Sequence, residues 1–354
     1  MSEAKRKPIK LGMIGYGRAG RGMHLGELEG KEDMFEIAAV CDVEADRRAA
    51  AAEKFGCKVY ERVEDIVMDP DIEVIDIATR SCDHYTHAKT ALDAGKTVFL
   101  EKPMCRTYAE AKQLMELGEK YGERRLFIRH NRRFEPGFVQ VNEIIDSGIL
   151  GDVYYVKRAV GNFDIRHDWQ TLSQYGGGQL LNWGPHLVDQ ALRFAGGDYV
   201  KMFSDIRQVA AAGDCEDVVH ASFVGVNGRL VEIEISGGST ITPPTYVVYG
   251  SRGALVDQGN GVFKLRYVKE DFTLPTPIAN IRTPGAGASF GGNVEIPFVE
   301  EERKWNDYKL DQTWVYLYEA VREGKDYPIK SEEALKVVET IEKIKEAGKT
   351  ELVK

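Results

Sequence analysis

Lys102 stands where an apolar run stops. Thr97-Val98-Phe99-Leu100 is β-branched and aromatic, and it ends abruptly in Glu101, Lys102 and Pro103. A buried parallel strand delivers charged groups to the rim of its sheet in this way, and Pro103, with no N–H to donate, closes it. In a doubly wound sheet that rim is the carboxyl edge, where ligands bind, so Lys102 is the first catalytic candidate. Asn182, His186 and Asp189 form a second set. Their i, i+4, i+7 spacing puts them on one face of a helix, behind a Gly176-Gly177-Gly178 entry. Arg166-His167-Asp168-Trp169 is a third. Aromatic faces cover the C–H side of a pyranose while carboxylates and guanidinium groups bind its hydroxyls, and Trp183 can serve the same purpose.

A cofactor is implied by the beginning of the chain. Ile9–Ile14 reads as a short buried strand that runs into Gly15-Tyr16-Gly17-Arg18-Ala19-Gly20, a GxGxxG turn where a strand meets a helix. Gly15 permits the tight turn, Gly17 lets backbone approach a pyrophosphate, and Gly20 lets the helix pack closely on the strand. The helix amino terminus then offers N–H groups to the phosphates. A second strand, Phe35–Cys41, ends in Asp42, 22 positions after Gly20, against the roughly 20 expected for the acid that binds the ribose hydroxyls. A carboxylate there repels the extra phosphate of NADP. NAD is the expected cofactor, and Arg47 and Arg48 in the next helix keep NADP open.

The elements that must position these groups alternate. Helical stretches at 47–55, 65–68, 84–94 and 108–121 separate strands at 73–79, 97–101 and 125–129, with Gly56, Gly95 and Gly122 closing helices. Such alternation makes right-handed parallel crossovers. The fold class is therefore α/β, with a Rossmann domain of doubly wound parallel sheet expected over residues 1–130. From Gly151 the pattern changes to strands at 153–156, 218–223, 230–235, 245–249 and 262–267, with Asn227-Gly228 and Asn260-Gly261 as hairpin turns. Residues 131–354 are expected to form an α+β domain around a large, mostly antiparallel, open-faced sheet. The Gly-, Pro- and Ala-rich stretch 278–293 reads as a long loop over the site, and 332–345 as an amphipathic helix.

Together, Gly15 to Gly20, Ile77-Ala78-Thr79 with His84 downstream, Ala94-Gly95-Lys96-Thr97-Val98-Phe99-Leu100-Glu101-Lys102-Pro103 and Asn131-Arg132-Arg133-Phe134 resemble the glucose-fructose oxidoreductase and inositol dehydrogenase family, often written Gfo/Idh/MocA. The likeness continues through Gly176-Gly177-Gly178-Gln179-Leu180, His186-Leu187-Val188-Asp189 and the Tyr249 to Ala254 turn. It implies a nicotinamide-dependent oxidoreductase acting on a sugar, glycoside or inositol. Gly15, Tyr16, Gly17, Arg18, Ala19, Asp42, Ala78, Thr79, Arg80, His84, Glu101, Lys102 and Asn131 would contact the cofactor. Arg166, Asp168, Trp169, Asn182, Trp183 and His186 would hold the substrate. His186 matches the family's acid/base, Lys102 its lysine beside the nicotinamide, and Asp189 would orient the helix face or a substrate hydroxyl. Two positions depart from the pattern. Asn182 replaces the usual Asp, and an amide cannot take up a proton; Arg80 replaces a proline and is expected to reach a cofactor phosphate or a substrate oxygen. Asn182 gives weight to one alternative, redox-neutral cleavage of a glycoside through transient oxidation; a separate alternative is a nucleotide-binding sensor without catalysis.

Bulk composition narrows the partners. The 354 residues carry 47 Lys and Arg against 56 Asp and Glu, a formal charge of −9, which speaks against a nucleic-acid or anionic-membrane partner. There is no run of apolar residues long enough to span a bilayer and no secretory h-region. Five cysteines without a CxxC pair fit a reduced cytoplasm, with no metal expected. The expected partners are a small carbohydrate or cyclitol and, through the open sheet face, further copies of the chain in a dimer or tetramer.

Overall fold

The computed structural model describes residues 7–348 apart from 123, 277, 280, 284 and 288–293. Apolar runs closed by turns build the first sheet from β1 (Ile9–Ile14), β2 (Phe35–Cys41), β3 (Lys58–Tyr60), β4 (Val74–Ile77), β5 (Thr97–Glu101) and β6 (Leu126–Arg129). All its pairings are parallel, in the order β3-β2-β1-β4-β5-β6. The order reverses between β1 and β4, the switch point at which dinucleotides bind. The helices packed on this sheet are α1 (Leu25–Leu28), α2 (Ala45–Phe55), α3 (Val63–Val67), α4 (His84–Asp93) and α5 (Tyr108–Lys120). A wide-turn helical segment, Arg18–His24, leads into α1. Every residue of β5 is buried, because Val98 and Leu100 face one apolar cluster and Phe99 the other.

After α6 (Pro136–Asp146) come β7 (Val153–Gly161), α7 (Gln179–Asn182), α8 (Gly184–Phe194), β8 (Tyr199–Arg207), β9 (Val218–Gly225), β10 (Leu230–Ser236), β11 (Tyr246–Gly250), β12 (Gly253–Asp257), β13 (Val262–Val268) and β14 (Phe298–Lys304). The eight strands form one sheet in the order β14-β13-β12-β11-β7-β10-β9-β8. It is antiparallel except where β10 runs parallel to β7. Alternation decides its faces. Val231, Ile233 and Ile235 of β10 enter the core against α8, whereas Glu232 and Glu234 lie on the other face, which among the described residues no helix covers. The β12–β13 hairpin turns through Gly259, Asn260 and Gly261, all three with left-handed φ, so the turn is longer than the two-residue Asn260-Gly261 loop expected.

The chain then returns to the first sheet. In α9 (Gln312–Tyr318), Trp314 packs edge-on to Phe99 at 4.8 Å and to Phe35 at 5.5 Å. Finally, α10 (Ser331–Ala347) sends Ala334 and Val338 into the core of the first sheet and Val337, Ile341 and Ile344 into that of the second. One helix thus belongs to both cores and fixes how the sheets face each other. We propose a division at residue 130, where the parallel alternation ends along the chain.

The structure adds β3, β8, β12, β14, α6 and α9 to the elements expected from the sequence, and β7 continues past 156. The loop expected at 278–293 falls partly outside the described residues. Among the described residues no helix is long and apolar enough to cross a membrane.

Candidate functional site

Three glycines shape the end of β1. Gly15 has φ +95°, and a Cβ there would lie 2.7 Å from the Ala78 carbonyl oxygen; a Cβ on Gly20 would lie 2.1 Å from that of Gly15. Both positions are closed to any side chain. At Gly17 the added atom would meet only Arg47 Nη1, at 3.5 Å, so the backbone is bare on the side a diphosphate would approach. Asp42 stands at the end of β2 with its carboxylate fixed by the N–H groups of Tyr16 (2.7 Å) and Glu44 (2.9 Å) and by Arg47 at 3.5 Å. It links the glycine turn to the neighbouring loop.

Beyond β5, Lys102 Nζ donates to the backbone carbonyl of Asn182 at 3.0 Å, joining the edge of the first sheet to the end of α7. A cavity of about 540 Å³ opens there, lined by Lys102, Asn131, Asn182, Trp183 and His186, with Arg18, Thr79, Arg166, Asp168 and Trp169 around it. Burial and the cations Lys102 and Arg132 hold the His186 imidazole well below its ordinary pKa. Burial also lowers Lys102, partly offset by Glu101. Asn131 is 3 % exposed, and its Oδ1 has no partner among the described residues. An orphaned amide oxygen on the wall of a cavity beside a bare glycine turn suits the carboxamide of a nicotinamide, so these residues fit the cofactor.

Several predicted residues sit elsewhere than expected. Asp189 is on α8, but its carboxylate is buried and gripped by Arg133, with Nε at 2.8 Å and Nη2 at 2.6 Å. It does not line the cavity; it anchors the helix of His186 to the segment after β6, and Arg133 continues to Glu333 on α10. Asn182 closes α7 and His186 opens α8, so one continuous helix face does not hold them. The Asn182 amide exchanges 3.4 Å contacts with Gln170 and Gln179, and it is the backbone carbonyl that meets Lys102. Arg80 pairs with Asp83 at 3.3 Å and covers the Tyr175 ring at 5.0 Å. His84 Nδ1–H donates to the Pro103 carbonyl at 2.7 Å, with Nε2 at 3.3 Å from that of Thr79, so it braces the Lys102 turn.

Glu101 lines the cavity and also belongs to a chain of buried charge that the sequence did not disclose. His24 reaches Asp76 at 2.8 Å and Glu101 at 3.1 Å; Arg129 bridges Glu101 and Glu27; Trp314 Nε1 donates to Glu27 at 2.9 Å. The Lys102 N–H also donates to Glu101, at 2.9 Å. This network lies under the glycine turn and the catalytic-candidate lysine together. Its signal was present: an Asp inside the strand Val74-Ile75-Asp76-Ile77 needs a buried cation.

Two stretches of the chain match known families. Residues 9–130 match the family described as "Oxidoreductase family, NAD-binding Rossmann fold", and residues 138–256 match the "GFO/IDH/MocA C-terminal domain". The sequence is 30 % identical over 253 residues to the uncharacterized oxidoreductase YdgJ of Escherichia coli K12, covering 71 % of each chain. It is 25 % identical to scyllo-inositol 2-dehydrogenase (NADP(+)) IolW of Bacillus subtilis 168, covering 96 % of this chain and 94 % of that one. GenD2 from gentamicin A biosynthesis, solved in complex with NAD, shares the fold with a TM-score of 0.75 at 22 % identity, over 98 % of this chain and 96 % of that one.

Proposed function

The chain belongs to the Gfo/Idh/MocA family of oxidoreductases, and from that premise we propose that it transfers a hydride between a secondary hydroxyl of a sugar, glycoside or cyclitol and NAD. One observation carries this reading: the Lys102 ammonium and the His186 imidazole line one cavity at the carboxyl edge of the parallel sheet. Oxidation of an alcohol needs a group to receive the hydroxyl proton. A depressed pKa keeps His186 neutral at pH 7. Its Nδ1 is buried without a partner among the described residues, which leaves Nε2 as the nitrogen open to the cavity. Lys102 stabilises negative charge developing on the substrate oxygen, with its Nζ aimed by the Asn182 carbonyl. When bound, the nicotinamide supplies the hydride acceptor. Arg166, Asp168, Trp169 and Trp183 surround the ring that presents the hydroxyl.

Purified protein mixed with NAD and a panel of sugars, glycosides and inositols is expected to produce the absorbance of reduced cofactor. No turnover in either direction across the panel would overturn the proposal. The Asn182 amide favours one alternative, redox-neutral cleavage in which the sugar is oxidised, cleaved and reduced again. An aryl glycoside cleaved with no net change in cofactor absorbance identifies it.

Asp42 supports NAD over NADP, because a 2′-phosphate would meet a carboxylate already fixed in place. Asp42→Ala, with Arg47 and Arg48 intact, is expected to shift the NADP to NAD ratio of kcat/KM toward NADP by about tenfold or more, the scale of a charged hydrogen bond. An unchanged ratio removes Asp42 from cofactor choice. The open face of the second sheet, where Tyr155 stacks on Tyr249 at 5.3 Å, is the surface proposed for a second copy.

A further inference from the structure

We propose that the substrate is a glycoside or disaccharide whose second unit occupies a separate polar cavity beside the reaction cavity. The inference rests on the carbohydrate reading above and narrows it. The second cavity, about 550 Å³, lies between Arg18, Gln179, Trp183 and the chain leaving β7. It shares Arg18, Arg166, Asp168 and Trp183 with the reaction cavity. Each lies within the roughly 300–1,000 Å³ range of small-molecule sites. The shared walls make them neighbouring compartments of one trough.

The wall of the second compartment is held still while its side chains are left free. Asn162 N–H donates to Ser236 at 3.0 Å, Asp164 N–H to Gly237 at 2.9 Å, and the Arg166 carbonyl accepts from Ala212 at 3.0 Å. Yet the Asn162 amide, the Asp164 carboxylate, the His167 imidazole and the Arg18 guanidinium make no side-chain hydrogen bond among the described residues. Asp168 differs, being engaged by Arg166 and by the Gln170 N–H. The backbone of this wall is preorganised, and its exposed side chains keep donors and acceptors unspent. The mixture of amide, carboxylate, imidazole and guanidinium matches neighbouring hydroxyls, which both donate and accept, whereas an anionic unit would face Asp164 and Asp168. Trp183 stands between the compartments with Arg132 over one face of its ring at 4.5 Å, and an indole is the surface on which a sugar ring stacks. A free monosaccharide or inositol, filling the reaction cavity, leaves Asn162, Asp164 and His167 unused.

The test uses the full chain with NAD. Initial rates are compared for D-glucose, D-galactose and myo-inositol against cellobiose, maltose, lactose and the p-nitrophenyl glycosides. At least one glycoside is expected to exceed its parent monosaccharide in kcat/KM by about tenfold, the scale of two ordinary hydrogen bonds. Asn162→Ala and Asp164→Ala are expected to erase that advantage while leaving kcat/KM for the monosaccharide unchanged. Monosaccharides or inositol turned over as well as every glycoside, or an advantage that survives both variants, would overturn the proposal. Should nothing be oxidised, the hydride-transfer reading fails first, and calorimetric binding of the same pairs to the NAD-loaded protein decides the second compartment separately. Tighter glycoside binding lost in Asp164→Ala supports it; equal or absent binding sinks it.

Discussion

Lys102→Ala and His186→Ala are each expected to lower kcat for carbohydrate oxidation by about 10²–10⁴-fold, the range for a positioned acid–base group, with the Kd for NAD little changed. Steady-state rates at saturating NAD, paired with a fluorescence titration of the cofactor, separate the two effects. The expectation follows from position: both side chains line the cavity, while the glycine turn and Asp42 that would carry cofactor binding lie at β1 and β2. Retained kcat in either variant would remove that residue from the chemistry.

The pH profile gives an independent readout of the same pair. Only neutral His186 can accept a proton, so the rate is present above its pKa and lost as pH falls through it. Because burial and the Lys102 and Arg132 cations depress that pKa well below 6.5, the acid limb of kcat/KM should lie well below pH 6.5. Lys102→Ala removes one of those cations, so its residual activity should show the limb displaced upward, toward 6.5. A limb that stays in place would show that the Lys102 charge does not act on the His186 imidazole.

What the sequence disclosed about this site divides by range. The strand that presents Lys102 was legible because an apolar run buried on both faces ends in charges, and the glycine turn because its spacing encodes a backbone shape. Spacing places Asp189 on the helix of His186, to orient the helix face or a substrate hydroxyl. Spacing reports which helix face a residue occupies and not what faces it, and here the facing group is Arg133, fifty-six positions away in sequence. The β14 segment, Phe298-Val299-Glu300-Glu301-Glu302-Arg303-Lys304, carries five charged residues in succession. It pairs on one side only, with β13, so no buried face impressed a pattern on it. Trp314 and α9 could not be placed either, since the sheet they cover lies at the opposite end of the chain.

Arg129→Met is expected to destabilise the protein by about 3–5 kcal/mol, the cost of breaking a buried ion pair from one side, out of a total of about 5–15 kcal/mol for a folded domain. Arg129 is fully buried and pairs with both Glu101 and Glu27; without it both carboxylates lose their shared cation. Urea unfolding measures the loss, and a change within about 0.5 kcal/mol, as for a surface substitution, would show that the network is not under this electrostatic constraint. His24 supplies the other cation. Burial opposes its charge, but Asp76 and Glu101 outweigh burial and raise its pKa from 6.5 to about 9. The folded state therefore holds a proton that the unfolded chain releases between those values. This contribution is complete below pH 6.5 and disappears as pH rises through about 9, at a slope of up to about 1.4 kcal/mol per pH unit. His24→Gln should flatten the alkaline side of the stability curve. Since Glu101 also receives the Lys102 N–H, wild-type activity should fall over the same alkaline range as this contribution, and Arg129→Met, which removes a cation that lowers the His24 pKa, should move that fall to higher pH.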